Sequence, residues 1–314
     1  MTGTLPFVLA ADVGGTNTRL ALCAGTIVDT ATVRRFPNAG FDSLTDVLRA
    51  YRQDFDAPVS AACVAVAGPV RNGVGRLTNR DWQITADALC EATGAAEGYV
   101  INDLAAQGYA LDHVEGQAIL GPGLPDDGTR LVVGVGTGFN ASPVYRTPAG
   151  SHVVASEAGH VSLPVWDARS LGLAETIIRH HSFASVEEVL SGRGLLQVHR
   201  FCAGPQAEAL KGAEILGRAA QAPDGTEAAA AELMTEILGR VVGDLALIHL
   251  PDGGVFLVGG MARALRPWLM GPSFSRGYLD KGRFSDFLRT FPVALVEDDY
   301  AALTGCADYV ARAG

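Results

Sequence analysis

The stretch LAADVGGTNTRLALC, Leu9 to Cys23, decides how the rest of the chain is read. An apolar run closes on one acid, Asp12. Gly14, Gly15 and Thr16 follow, and beyond Arg19 a second apolar run begins. Each run has the length of a strand and the glycines mark a tight reversal, so the stretch predicts a β-hairpin. A glycine has no Cβ, so its N–H can come close to an oxyanion and its φ can turn positive. Successive N–H groups in such a turn form an anion-binding concavity. Asp12 would repel a bare phosphate. A Mg2+-bound phosphate suits it better, because magnesium takes one or two carboxylates together with phosphate oxygens and water. The competing reading is a plain turn beside a surface aspartate.

Further along, LVVGVGTGFNASPVY (Leu131–Tyr145) follows the same plan: strand, a turn of Gly136, Thr137 and Gly138, then a second strand. Two such hairpins predict two lobes of related design. Other strands are expected at ACVAVAG, GYVIND, VFLVGG and FPVALV. Helical patterns cover 42–51, 85–93, 104–111, 185–190, 195–201, 225–249, 262–269 and 301–311, an alternation typical of the α/β class. Two familiar nucleotide folds are excluded. A P-loop needs a lysine after its last glycine, and the only two lysines, Lys211 and Lys281, lie in no such loop. The dinucleotide fingerprint needs three spaced glycines opening a helix, whereas TRLALC reads as a strand.

Three more places carry polar groups worth testing. In YVINDLAAQGYAL, Asn102 and Asp103 stand at the carboxyl end of a strand, where open α/β sheets place ligand sites. Either could cap the following helix, and capping needs only one of them, which leaves the other for a polyol. In ASEAGHVSLP, Glu157 and His160 are three apart and share a face if the segment makes a helical turn. In SVEEVLSGRGL, Glu187 is taken as a ligand candidate and Glu188 as the solvated start of a helix.

Composition narrows the classes. A net charge of −10 disfavours nucleic-acid binding. Five scattered cysteines have neither zinc-ligand nor disulfide-framework spacing, which points to a reducing compartment. No secretory leader or membrane-spanning apolar run is read, so a cytoplasmic protein is expected.

DVGGTNTR, LTNRDW, INDLAA, GVGTG, SEAGH, SVEEVLSGRGL and VFLVGGM occur here in the order seen in bacterial glucokinases of the hexokinase–actin superfamily. The chain resembles that family over nearly its whole length, through DKGRFSDFL and FPVALVEDDYAALTG. It lacks the cysteine-rich zinc motif of the repressor-and-kinase branch, and so resembles the zinc-free branch. The resemblance implies a two-lobed actin-like (ribonuclease H-like) ATPase fold of the α/β class with a cleft between the lobes. The small lobe would comprise 1–113 plus 294–314, and the large lobe 114–293.

The implied activity is transfer of a phosphoryl group from ATP, with Mg2+, to the 6-hydroxyl of glucose. Asp103 matches the general base. Asn102, Glu157, His160, Glu187 and, from LTN, Asn79 match partners of the other sugar hydroxyls. Asp12 would help to place Mg2+. Gly14, Gly15, Thr16, Gly136, Thr137 and Gly138 would hold the ATP phosphates, and Gly259 and Gly260 would pass close to adenosine. The implied partners are glucose and ATP, without nucleic acid or membrane; a homodimer is compatible with the family.

The chain departs from the pattern in two places. The second loop reads GTGFNAS, with Asn140 where GTGLG has glycine. Asparagine tolerates positive φ well, so Asn140 is expected to keep the turn's backbone shape. The segment after Gly68, PVRNGVGR, also differs. The alternatives are a kinase for another hexose and a non-enzymatic sugar sensor on the same fold. The sensor usually wants a DNA-binding segment ahead of the first hairpin, where this chain has a short lead before Asp12.

Overall fold

The structure, a computed structural model, describes residues 6–77, 80–148, 150–204, 206 and 208–313. It divides into two compact units. The first is Met1–Glu115, Thr147–Val153 and Asp298–Gly314, and the second is Gly116–Arg146 and Val154–Glu297.

In the first unit, strand Phe7–Val13 pairs antiparallel with Asn17–Ala24, setting Asp12 opposite Arg19 and Val13 opposite Thr18. On its other side it runs parallel to Val59–Val66, which runs parallel to Glu97–Asn102. The strand is apolar on both faces because both are covered. Leu9, Ala11 and Val13 join Leu48, Tyr51, Ile84 and Leu89, under helices Leu44–Asp54 and Ala86–Thr93. Val8 and Ala10 join Ala106, Tyr109, Leu303 and Cys306 of helices Asp103–Tyr109 and Ala301–Ala313. PVRNGVGR forms a small antiparallel hairpin between Val70–Arg71 and Val74–Arg76. Its turn residues Asn72 and Gly73 have φ of 52° and 72°, the left-handed pair that a two-residue hairpin requires.

The second unit repeats the plan. Arg130–Val135 pairs antiparallel with Phe139–Thr147 and parallel with Gly254–Val258, which pairs parallel with Val293–Val296. The echo between the two glycine hairpins thus extends to the order and direction of four strands in each unit. The main core lies here, with Leu131, Val133, Ile237, Leu238, Val255 and Leu257 fully buried. It centres on the helix Thr226–His249.

The strands read from sequence are all present, and the helices differ in instructive ways. Residues 185–190 are a turn rather than a helix. Ser185 bridges to Ser162, and the Glu187 N–H donates to the Gly159 carbonyl at 2.9 Å. Five or six residues cannot nucleate a helix against such tertiary bonds. The next helix, Gly192–Ala203, starts earlier than expected because Ser191 caps it, its Oγ accepting from the Gly194 N–H at 3.1 Å. The expected helix at 262–269 breaks into Gly260–Ala264 and Arg266–Leu269. Pro267, which lacks an N–H, sits near the start of the second piece. Helices Ala168–His181, Gly212–Gln221 and Pro272–Leu279 were not anticipated. The expected lobe boundary at 293/294 falls inside Val293–Val296, which also pairs with Gly116–Leu120 of the second unit. The chain returns to the first unit at Asp298.

Candidate functional site

In the first unit the hairpin turn is held from below by Asn38, which is fully buried. Asn38 donates through Nδ2 to the Gly14 carbonyl at 2.8 Å and through its backbone N–H to the Thr16 carbonyl at 2.8 Å. Its Oδ1 accepts from Thr18 Oγ1 at 2.8 Å. Sequence reading missed Asn38, because FPNAGF looks like any turn. Neither Gly14 nor Gly15 has a positive φ. Their value to the turn is therefore the missing side chain rather than an unusual backbone. A Cβ on Gly14 would meet only the Asn17 carbonyl oxygen, at 3.4 Å.

Strand Glu97–Asn102 delivers Asn102 and Asp103 to the same unit. Asn102 is the helix cap, its Oδ1 accepting from the N–H groups of Leu104 (3.0 Å) and Ala105 (3.4 Å). Its Nδ2 donates to the Gly68 carbonyl at 3.1 Å. The capping question thus resolves in favour of Asn102, and the carboxylate left over belongs to Asp103. That carboxylate accepts from the Leu104 N–H at 2.9 Å. Burial, reinforced by the charge of Asp12, pushes its pKa up to about 7 from the usual 3.8. Burial also raises Asp12, against the pull of Arg19. Two half-buried carboxylates that repel one another call for a counter-charge.

The donor set bears on which cation fits. Among the described residues no group of three or more His, Cys, Asp or Glu side chains could hold a metal ion. One or two carboxylates fit Mg2+, which keeps its waters and binds through substrate phosphates, better than they fit a metal needing an all-protein cage.

In the second unit the turn between Val135 and Phe139 is closed by the Gly136 N–H on the Gly138 carbonyl, at 2.9 Å. The N–H of Gly192, first residue of its helix, donates to the Gly136 carbonyl at 2.9 Å. The positive end of that helix dipole therefore lies against the turn, which favours an anion there. Glu187 is tied to the same turn, its Oε2 accepting from the Phe139 N–H at 3.0 Å. Its Oε1 accepts from Arg193 at 2.9 Å. A Cβ on Gly138 would overlap that carboxylate, and one on Gly159 would overlap the Phe139 carbonyl. Gly259, at φ 100°, would bring a Cβ within 2.6 Å of the Val135 carbonyl oxygen. Gly159 and Gly259 are required by the protein's own packing because they face main chain, whereas at Gly138 the obstruction is the end of the Glu187 side chain. Gly136 and Gly260 are not so required, since a Cβ there would meet nothing within 4 Å. That space is open to a ligand.

Glu157 leads into the short turn Ala158–His160, and His160 Nε2 stands 4.0 Å from Glu157 Oε2. Both side chains are about two-thirds exposed, at 64% and 69%. Glu188 is not a solvated helix start. It is 13% exposed and is bonded by Arg193 at 2.7 Å and Gln197 at 2.9 Å. Asn140 is not part of the turn, and its φ is not positive. It lies in strand Phe139–Thr147 opposite Gly134. Asn79 lies outside the described residues.

Among the described residues no helix is long and apolar enough to cross a membrane. A glucokinase family model matches residues 9–313. The glucokinase of Chromohalobacter salexigens is 34% identical over 307 residues, covering 96% of each chain. The crystal structure of a glucokinase from an Antarctic psychrotroph shares 31% identity at a TM-score of 0.83, covering 98% of this chain and 99% of that one. A ROK family glucokinase from Streptomyces griseus, solved with glucose and AMPPNP, shares 20% identity at a TM-score of 0.68. It covers 98% of this chain and all of that one, and at that identity it shows the fold alone. The common fold is the actin-like ATPase fold.

Proposed function

Because the chain belongs to the glucokinase family, we propose that it transfers the γ-phosphoryl group of ATP to the 6-hydroxyl of glucose, giving glucose 6-phosphate and ADP. The observation that carries the assignment of roles is the Asp103 carboxyl, set at the end of a strand and raised to about 7. A base titrating near the working pH takes a proton best. Asp103 accepts the proton of the 6-hydroxyl as that oxygen attacks the γ-phosphorus.

The other residues position and exclude. Asn102 has one amide hydrogen on Gly68 and its oxygen in the cap, which leaves a second hydrogen for a sugar hydroxyl. Glu157 and His160 meet hydroxyls from an exposed turn. Glu187, anchored by Phe139 and Arg193, keeps lone pairs for a further hydroxyl. Asn79 is assigned to the sugar by resemblance alone. The turns Gly14–Gly15–Thr16 and Gly136–Thr137–Gly138 hold phosphate oxygens through backbone N–H groups, and the Gly259–Gly260 segment adjoins adenosine. Asp12 would hold Mg2+, which when bound neutralises charge on the phosphates. Phosphoryl transfer passes through a loose transition state, so positioning of this kind supplies most of the catalysis.

A coupled ADP-release assay with ATP–Mg2+ across a panel of hexoses tests the reading. Glucose is expected to give the highest kcat/KM. If another hexose exceeds it by about tenfold, roughly 1.4 kcal/mol of transition-state preference, the glucose assignment fails while the kinase class stands. Binding of glucose without ADP release from any hexose would favour the sensor and overturn the enzyme.

A further inference from the structure

We propose that Asn140 is a positioning residue for the sugar, tying the segment that carries Glu157 and His160 to the glycine hairpin of the second unit. The proposal rests on the reading of Glu157 and His160 as sugar ligands given above.

The geometry is specific. Asn140 is the second residue of strand Phe139–Thr147, held opposite Gly134 by the hairpin ladder. From that fixed point Nδ2 donates to the Ser156 carbonyl at 2.6 Å, and Oδ1 accepts from the Ala158 N–H at 2.8 Å. Oδ1 also accepts from the N–H of Ala141 at 2.8 Å, which fixes the orientation of the amide. The first two bonds grip the backbone on either side of Glu157. A short side chain offering both a donor and an acceptor is an amide. Aspartate lacks the donor, and serine lacks the second arm.

The other holds of the segment lie away from Glu157: the Val154 N–H donates to the Pro143 carbonyl at 3.0 Å, the Val161 carbonyl accepts from the Val186 N–H at 3.0 Å, and the Leu163 N–H donates to the Ala184 carbonyl at 2.9 Å. Glu157 is exposed, and its side chain does not cap the turn that follows. At the far end, the Gly159 carbonyl accepts from the Glu187 N–H at 2.9 Å. Ala158 is buried, so loss of the Asn140 acceptor leaves its N–H without a partner and pushes the backbone to move. Glu157, next in the chain, moves with it. The hairpin itself keeps its ladder bonds and its closing Gly136–Gly138 bond, none of which uses the Asn140 side chain.

The test compares Asn140→Ala, Asn140→Asp and Glu157→Gln in the full chain, measuring kcat and separate KM values for glucose and ATP. Asn140→Ala should raise the glucose KM by about tenfold or more. The ATP KM should stay within about threefold. Asn140→Asp keeps the acceptor for Ala158 and should fall between Ala and the parent. A glucose KM within about threefold of the parent in Asn140→Ala, with Glu157→Gln strongly impaired, overturns the proposal and leaves the sugar site standing. A rise in ATP KM as large as that for glucose also overturns it. An unaffected Glu157→Gln removes the sugar assignment, and the proposal with it. Should Asn140→Ala fold poorly, Asn140→Asp decides: an unchanged glucose KM overturns the proposal, and a selective rise supports it.

Discussion

Asp103→Asn is expected to turn over glucose at least about a hundredfold more slowly than the parent chain, with only modestly weaker glucose binding. Asparagine keeps the size of the side chain and an oxygen that can still accept from the Leu104 N–H, so the local backbone has no reason to change. What it loses is the ability to take a proton. A structural explanation through helix capping is not available, because Asn102 caps that helix. Retention of more than about a tenth of the parent kcat would overturn the base assignment. A second readout comes from stability. The folded-state pKa of Asp103 is raised to about 7 from 3.8, so between these values the folded chain binds a proton that the unfolded chain releases. The stability linked to that proton is fully present below about pH 4 and is lost as pH rises through about 7. Asp103→Asn should therefore melt a few degrees higher than the parent at pH 8, with the gain shrinking toward pH 4. A loss of melting temperature at pH 8 would mean that the carboxylate is held by favourable bonds rather than strained by burial.

The readable parts of the chain are those where one physical signal stands alone. The two hairpins announce themselves because apolar runs flank bare glycine turns, and the strands are apolar on both faces because helices cover both. Asp103 stands out as a candidate because the one structural role open to a carboxylate there, capping the helix, is filled by Asn102. The missed helices hide their periodicity. Ala168–His181 carries Gly172, Pro272–Leu279 carries Gly277, and both draw their stability from burial of residues such as Leu173, Ile177, Phe274 and Tyr278. The turn at 185–190 reads as helix in sequence because VEEVL has helical composition, while the deciding bond, Glu187 to Gly159, joins residues far apart in the chain. Asn38 and Asn140 were illegible as structural clamps for the same reason. An amide's partners are tertiary facts, and its identity says only that it could have two. At Asn140 the conformational tolerance of asparagine is not called on, since the residue is in a strand and its side chain bonds the backbone at Ser156 and Ala158.

The crossing of helices Asp103–Tyr109 and Ala301–Ala313 makes the last prediction, because Asp103 is the first residue of one of them. Gly305 lies at the crossing. A Cβ there would overlap the Ala106 carbonyl oxygen, fall 2.6 Å from the Ala106 carbonyl carbon and 3.1 Å from the Ala110 nitrogen. All three are backbone atoms, so no side chain can swing aside to make room. Two effects of Gly305→Ala oppose each other. Alanine is favoured over glycine in a helix interior by about 1 kcal/mol. Overpacking typically costs about 1–3 kcal/mol, and the upper part of that range applies where the obstruction is main chain. The obstruction wins, and the chain should melt several degrees lower. The helices must also part, and the shift carries Asp103 away from its place beside Asp12. A displacement on the order of 1 Å at a reacting group can cost about 10²-fold in rate, so kcat should fall together with stability. Gly217→Ala supplies the contrast. Gly217 is exposed within helix Gly212–Gln221, where a Cβ meets nothing within 4 Å. That change should leave kcat untouched and hold or raise the melting temperature. If Gly305→Ala behaves like Gly217→Ala, the close helix crossing beneath Asp103 is wrong.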